Sequence, residues 1–114
     1  MDSDLESLYG YVTENNLKVN DGWIRRNICE ILLNFDDQQM PEAEEWITKA
    51  IEMDEKNGTK WNLGRDYTVY AELLKRKGDQ IKAKENLNKA IDIFKECGAD
   101  GWVKKAEEEL AALS

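Results

Sequence analysis

The side chains that could do chemistry in this sequence are mainly acidic. It has 24 Asp and Glu residues and no His. Two acidic groups are dense enough to raise the question of a Ca²⁺ or Mg²⁺ site, Asp36-Asp37 and Glu42-Glu44-Glu45. Neither group is followed by the glycine and the twelfth-place glutamate of an EF-hand loop. We therefore expect no metal site.

The sequence also lacks the residue sets of the common enzyme classes. Without His there is no Ser-His or Cys-His pair to activate a nucleophile. There is no glycine-rich phosphate loop and no dinucleotide fingerprint. Paired carboxylates acting as acid and base would need a pocket, which the pattern does not indicate. The expectation is a protein that is not an enzyme, with no catalytic residue and no cofactor.

The two cysteines, Cys29 and Cys97, lie far apart and form no CxxC motif. A disulfide framework in a chain this short normally uses more cysteines. We expect both thiols to be reduced and buried. A disulfide or a reactive thiol is the alternative.

Charge and hydropathy exclude further partners. The 114 residues carry a net charge of −8 with a pI near 4.6, so nonspecific binding to nucleic acid or to an anionic membrane is not expected. The longest apolar run, Ile31-Leu32-Leu33, is far too short to cross a bilayer. The N-terminal residues lack the basic and apolar regions of a secretory signal. These features favour a cytoplasmic protein.

The sequence predicts helices throughout the chain, and these helices carry the residues discussed above. Apolar residues recur at three- and four-residue spacing, strand-type alternation is absent, and the only proline, Pro41, suits a first helical turn. Gly58, Gly78 and Gly98 are expected to end helices, and Thr59 and Asp79 to cap the next ones. The six predicted helices cover about residues 3–15, 21–34, 41–57, 59–77, 79–97 and 100–113.

An internal repeat relates the third predicted helix to the fifth. At an offset of 40 residues the same or similar side chains recur, which predicts stacked helical hairpins that share a core. The recurring alanines indicate places where helices approach closely. The matched pairs are Ala43 and Ala83, Glu45 and Glu85, Ile47 and Leu87, Lys49 and Lys89, Ala50 and Ala90, Ile51 and Ile91, and Gly58 and Gly98.

One hairpin carries a family resemblance in its spacing of large, small and turn residues. It resembles a tetratricopeptide repeat (TPR), and an earlier, degenerate copy precedes it. The resemblance implies an all-α, right-handed α-solenoid of antiparallel hairpins with about six helices. The residues that carry it are Tyr67, Tyr70, Ala71, Leu74, Gly78, Asp79, Ala83, Leu87 and Ala90.

The resemblance covers about residues 21–113, and the chain is divided into four parts. Residues 1–20 form a leading helix that the resemblance does not explain and that is interpreted as the remnant of an upstream repeat. Residues 21–58 form the degenerate hairpin. Residues 59–98 form the TPR hairpin and 99–114 a C-terminal capping helix. The run from Lys75 to Leu113 is also similar to the C-terminal ends of large bacterial signalling proteins with cyclase or kinase and ATPase modules, which implies that the chain is a C-terminal fragment.

In TPR arrays the first helices of the hairpins line a concave surface that binds a partner protein or peptide. The alternative is a set of solvated helix faces, with Glu72 and Arg76 as an i, i+4 ion pair. The two-carboxylate clamp for chaperone tails is not expected, because Glu30 and Val69 occupy its central Asn positions. The predicted partner-binding residues are Trp23, Arg26, Asn27, Glu30, Arg65, Thr68, Glu72 and Lys75.

The predicted function is a non-catalytic TPR-like scaffold for protein–protein or intramolecular regulatory contacts. The alternative is a homo-oligomerisation module, such as a homodimer, that stacks through its exposed solenoid ends. We expect Trp46, Trp61 and Trp102 to serve packing within or between repeats.

Overall fold

The structure, a computed structural model, describes residues 21–35 and 40–113. They form five helices and no strand, which confirms the all-α class. The leading helix predicted over residues 3–15 lies outside the described residues. The helices are α1 (Asp21–Phe35), α2 (Met40–Asn57), α3 (Lys60–Arg76), α4 (Gln80–Glu96) and α5 (Asp100–Ala112).

One hydrogen-bonded turn motif recurs between the helices. After α3, Gly78 has a φ of 87°, and its N–H donates to the Lys75 carbonyl at 3.0 Å. The N–H of Asp79 donates to the Leu74 carbonyl at 2.9 Å. These two bonds define a Schellman motif, whose left-handed position favours glycine. The same pair of bonds recurs at the turns that contain Gly58 and Gly98.

The two predicted N-caps behave differently. The Asp79 carboxylate accepts a hydrogen bond from the Lys82 N–H at 3.1 Å, as expected for a cap. Thr59 precedes α3, but its side chain caps nothing. Its hydroxyl donates instead to Oδ1 of Asp54 at 2.8 Å. The Thr59 hydroxyl therefore fixes a buried acid at the end of α2.

Each helix packs against the next one along the chain, and α1 also packs against α3. The turns after α2, α3 and α4 contain only two or three residues, so helices joined by them lie antiparallel. The contact between α1 and α3 brings two of the three odd-numbered helices side by side. This alternation decides which helices line a common surface.

The apolar core falls into two clusters. The first joins α1, α2 and α3, and the second joins α3, α4 and the end of α5. The first contains Ile24, Ile28, Cys29, Leu32, Leu33, Ala43, Ile47, Ala50, Val69 and Leu73. The second contains Ala71, Leu74, Ala83, Leu87 and Leu113.

The repeated alanines lie in the interior, as the sequence predicted. Ala43, Ala50, Ala83 and Ala90 are all 0% exposed. We expect Ala90→Leu to lower the free energy of unfolding by about 1–3 kcal/mol, because the added atoms have no room. Urea unfolding followed by circular dichroism measures this loss. Ala111→Leu, at an exposed position of α5, is the matched control, and equal stability of the two variants would contradict the prediction.

The cysteines were predicted to be buried, and this is right for only one of them. Both are free thiols. Cys29 is buried in α1, and burial raises the pKa of its thiol to about 12. Cys97 is exposed. It lies in the turn after α4, beyond the apolar stripe that faces the core.

Among the described helices, none combines the length and the apolar character needed to cross a membrane.

Candidate functional site

A groove runs between α1, α3 and α5, and all three helices contribute side chains to it. Buried apolar residues and charged side chains both contribute to it. The lining residues are Glu30, Leu33 and Asn34 of α1, Arg65, Thr68, Val69, Glu72 and Arg76 of α3, and Trp102, Lys105, Ala106 and Glu109 of α5.

One end of the groove is built on aromatic rings. The indole of Trp102 stacks on Phe94, with ring centroids 5.8 Å apart, and meets Trp61 edge-on at the same distance, 5.8 Å. The guanidinium of Arg65 lies over the Trp102 ring at 4.3 Å. Such a cation–π contact is stronger where water is excluded. The stack therefore fixes the position of Arg65 in the groove.

Arg65 is only partly neutralised by its neighbours. Its Nη2 atom lies 3.5 Å from Oε1 of Glu30, at the limit of a hydrogen bond. Within residues 21–35 and 40–113, its buried Nε atom has no hydrogen-bond partner. Burial lowers the pKa of Arg65, and the nearby charge of Arg26 acts in the same direction. An arginine is nonetheless protonated at neutral pH, so a cation stays at this end of the groove.

The other end of the groove is held by Arg76. Its Nε atom donates to Glu72 at 3.1 Å, and its Nη1 atom donates to the Leu33 carbonyl at 2.6 Å. Arg76 therefore ties α3 to the last turn of α1.

Partial burial raises the pKa of Glu109, and the charge of Glu72 acts in the same direction.

Acidic and basic side chains balance along the groove. The formal charge of the lining is zero, so neither a purely acidic nor a purely basic ligand is favoured by net charge. The acids are Glu30, Glu72 and Glu109, and the bases are Arg65, Arg76 and Lys105.

Four of the predicted partner-binding residues line the groove: Glu30, Arg65, Thr68 and Glu72. Lys75 lines an adjoining hollow with Leu87 and Leu113.

Two predicted residues lie on α1 outside this lining. Trp23 is 47% exposed, and the side-chain amide of Asn27 donates to the Trp23 carbonyl at 2.7 Å. Sequence reasoning missed the contribution of α5, because it stopped at the capping role of that helix. Trp102 was the signal for this contribution. It lies four residues after the turn glycine Gly98, and Asn62 of α3 lies four residues after Gly58, so the two residues occupy equivalent positions of α5 and α3.

Arg26 is a predicted site residue that lies in the interior. It was expected to face outward, but it is only 2% exposed. Its Nη1 atom lies 3.2 Å from Oδ1 of Asp66 and 3.2 Å from the Asn62 carbonyl. A buried guanidinium is tolerated because these oxygens replace water. Arg26 therefore joins α1 to α3 beneath the groove.

A second buried acid completes the cluster around Arg26. Asp54 and Asp66 are both 0% exposed, and the Asp54 carboxyl is among the groups that raise the pKa of Asp66. The Asp54 carboxylate also lies against α1, since a Cβ atom on Gly22 would overlap it. We call Arg26, Asp54 and Asp66 the buried charge cluster. It connects α1, α2 and α3.

Burial raises the pKa of Asp66 to about 10, and the hydrogen bond and charge of Asp54 act in the same direction. The charge of Arg26 and its hydrogen bond oppose this shift.

The repeat carries a signal for this cluster. Arg26, Asp66 and Ala106 lie at successive intervals of 40 residues, and all are buried. Asp54 of α2 and Leu74 of α3 lie 20 residues apart, which is the spacing of the turn glycines, so they occupy equivalent positions of successive helices. Leu74 is also buried. Charged residues at positions that are apolar elsewhere in the repeat indicate buried polar groups.

Comparisons with protein-family models, with curated proteins and with solved structures found no match. Within residues 21–35 and 40–113, no three His, Cys, Asp or Glu side chains lie together as metal ligands would.

Proposed function

We propose that the chain is a non-catalytic, TPR-like scaffold that binds a segment of a partner protein in the groove between α1, α3 and α5. The observation that carries this proposal is that every second helix, namely α1, α3 and α5, lines the same groove. Alternate helices form a common concave wall when hairpins stack in one direction. A right-handed α-solenoid is such a stack.

The spacing of the turns supports the same architecture. The left-handed glycines Gly58, Gly78 and Gly98 are each 20 residues apart, so helices of nearly equal length alternate in direction. Buried alanines recur at equivalent places of α2 and α4. Regular helix length and regular close contacts are what a stacked repeat requires.

The chemistry of the groove favours a partner segment of mixed charge with an apolar residue at its centre. Val69 and Ala106 are buried apolar residues of the lining, which also contains three cations and three anions. Arg and Trp residues dominate binding energy at many interfaces, and here Arg65 is already positioned on Trp102. A prepositioned side chain loses less conformational entropy when a ligand binds.

Filling the groove tests the proposal. Peptides of about 12 residues would be selected from a displayed random library, and their affinity would be measured by calorimetry. We expect Thr68→Trp, which places an indole in the groove, to weaken the selected peptides at least about tenfold.

Thr48→Trp is the matched control. Thr48 is exposed on α2, and its hydroxyl bonds the Glu44 carbonyl at 2.9 Å, much as the Thr68 hydroxyl bonds the Arg65 carbonyl at 2.6 Å. Equal affinity for both variants would place binding outside the groove. Failure to select any peptide would count against the scaffold function.

The alternative function, self-association through an open end, is favoured by one observation. Trp23 and Ile31 are each 47% exposed on α1, and a spacing of eight residues puts them on one face. Light scattering at increasing protein concentration separates the two functions. A monomer at all concentrations rejects self-association, and a dimer that Trp23→Lys dissociates supports it.

The wider setting is part of the same proposal. We further propose that the scaffold works in the cytoplasm as part of a larger regulator, and the resemblance of the run Lys75–Leu113 to bacterial signalling proteins supports this. There it would make protein–protein or intramolecular regulatory contacts.

A further inference from the structure

We propose that the groove between α1, α3 and α5 is electrically polar and binds its partner segment in one direction. An acidic side chain of the segment lies at the end formed by Trp102, and a basic side chain lies at the end formed by Glu72 and Glu109. This inference rests on the proposed function, because it names the order of charges in the segment that the groove binds.

The positive end of the groove is built on one indole ring. The guanidinium carbon of Arg65, from α3, lies 4.3 Å from the centroid of the Trp102 ring. The ammonium nitrogen of Lys105, from α5, lies 5.0 Å from a centroid of the same indole. All three residues line the groove. Cation–π contacts therefore hold two cations from different helices at one place.

The acid of α1, Glu30, neutralises this end only in part. Its Oε1 atom lies 3.5 Å from Nη2 of Arg65, and both side chains are partly exposed. An ion pair that is long and open to water contributes little. Because Arg65 and Lys105 together carry one charge more than Glu30, the Trp102 end is net positive and favours an acidic side chain of the ligand.

The negative end carries an acid from each of the same two helices. Glu72 follows Arg65 by seven residues on α3, and Glu109 follows Lys105 by four residues on α5. Because α3 and α5 are each antiparallel to α4, they run in the same direction and both present their cation before their acid. Glu72 and Glu109 also line the adjoining hollow together. The two acids therefore lie at the same end of the groove.

The cations near this end already bind Glu72. Arg76 donates to Glu72 at 3.1 Å and to the Leu33 carbonyl at 2.6 Å. Lys75 lies 3.8 Å from Glu72, but it lines the adjoining hollow and not the groove. Both contacts are with Glu72, so we expect a basic side chain of the ligand to pair with Glu109.

The helical spacing of these residues sets the spacing of the charges in the ligand. Four residues of α5 and seven residues of α3 correspond to about 6 Å and about 10 Å along a helix axis. An extended segment advances about 3.3 Å per residue. The acidic and basic residues of the segment are therefore expected two or three positions apart.

Two peptides of identical composition test the direction. One is a peptide selected from the displayed library, and the other is the same peptide with its acidic and basic residues exchanged. In calorimetry at low salt, we expect the native chain to bind the exchanged peptide at least about tenfold more weakly, because like charges then meet at both ends. Equal affinities, or selected peptides without such a pair of charges, would overturn the proposal.

An exchange of charges on the protein should reverse the preference. The double variant Lys105→Glu with Glu109→Lys keeps the net charge and changes only exposed positions of α5, and we expect it to prefer the exchanged peptide. Lys104→Glu with Glu108→Lys is the matched control, at exposed positions outside the lining, and should keep the native preference. If the first variant also keeps the native preference, Lys105 and Glu109 do not set the direction.

The Thr68→Trp variant separates this inference from the proposed function. If Thr68→Trp weakens the selected peptides but the exchanges of charge have no effect, the groove binds its segment without a fixed direction and only this inference fails. If Thr68→Trp has no effect, or if no peptide can be selected, the proposed function fails and this inference fails with it.

Discussion

Replacing Arg26 with methionine is expected to lower the free energy of unfolding by about 3–5 kcal/mol. Methionine fills much of the same space but leaves Asp54 and Asp66 buried without their cation. Removing one member of a buried ion pair is costly because the remaining charge has no solvent. The measurement is urea unfolding at neutral pH.

Lys49→Met is the control for this substitution. Lys49 is 55% exposed in its side chain and pairs with Glu52 at 3.4 Å on the surface of α2. Exposed pairs contribute less than about 1 kcal/mol, so this variant should resemble the native sequence. If Arg26→Met loses no more stability than Lys49→Met, Arg26 is not held inside by the acids.

Phe94→Ala is expected to lower the free energy of unfolding by about 3–5 kcal/mol. Phe94 is 0% exposed and stacks on Trp102 of α5. Its ring also lies where a Cβ atom on Gly64 of α3 would be only 2.7 Å from it. The substitution therefore opens a cavity where three helices meet, and the rigid helices around it cannot close the space.

Ile81→Ala on the same helix is the matched comparison. Ile81 is 76% exposed, and surface substitutions usually change stability by less than about 0.5 kcal/mol. Both variants would be unfolded in urea under the same conditions. A loss below about 1 kcal/mol for Phe94→Ala would contradict the packing at the junction of α3, α4 and α5.

The buried charge cluster gives the groove a rigid base. Arg26 bonds Asp66 beneath the surface, while Arg76 bonds the Leu33 carbonyl at the other end of the same pair of helices. Two arginine contacts thus fix α1 against α3. A groove whose walls are held at both ends is preformed, which suits the binding of an extended segment.

The helices and their turns follow from local features of the sequence. Apolar spacing gives the buried faces, and Gly58, Gly78 and Gly98 end three helices because their left-handed backbone is a property of single residues. The buried alanines could also be predicted, since the repeat itself shows where small side chains recur. Such signals involve neighbours along the chain.

The sequence predicted only part of the groove lining. Glu30, Arg65, Thr68 and Glu72 line the groove, because outward positions of a helix follow from its period. The share of α5 in the lining depends on how that helix packs, and its own sequence does not give this.

Arg26 shows where sequence reasoning stops. On its own helix it looks like an exposed cation, and its burial depends on Asp66, 40 residues away. A charged side chain enters the interior only if another helix supplies a partner at hydrogen-bond distance. The sequence by itself determined the helices, the turns and the apolar faces. The tertiary structure alone decided which charges lie inside, because the stability of a buried charge depends on groups that packing brings together.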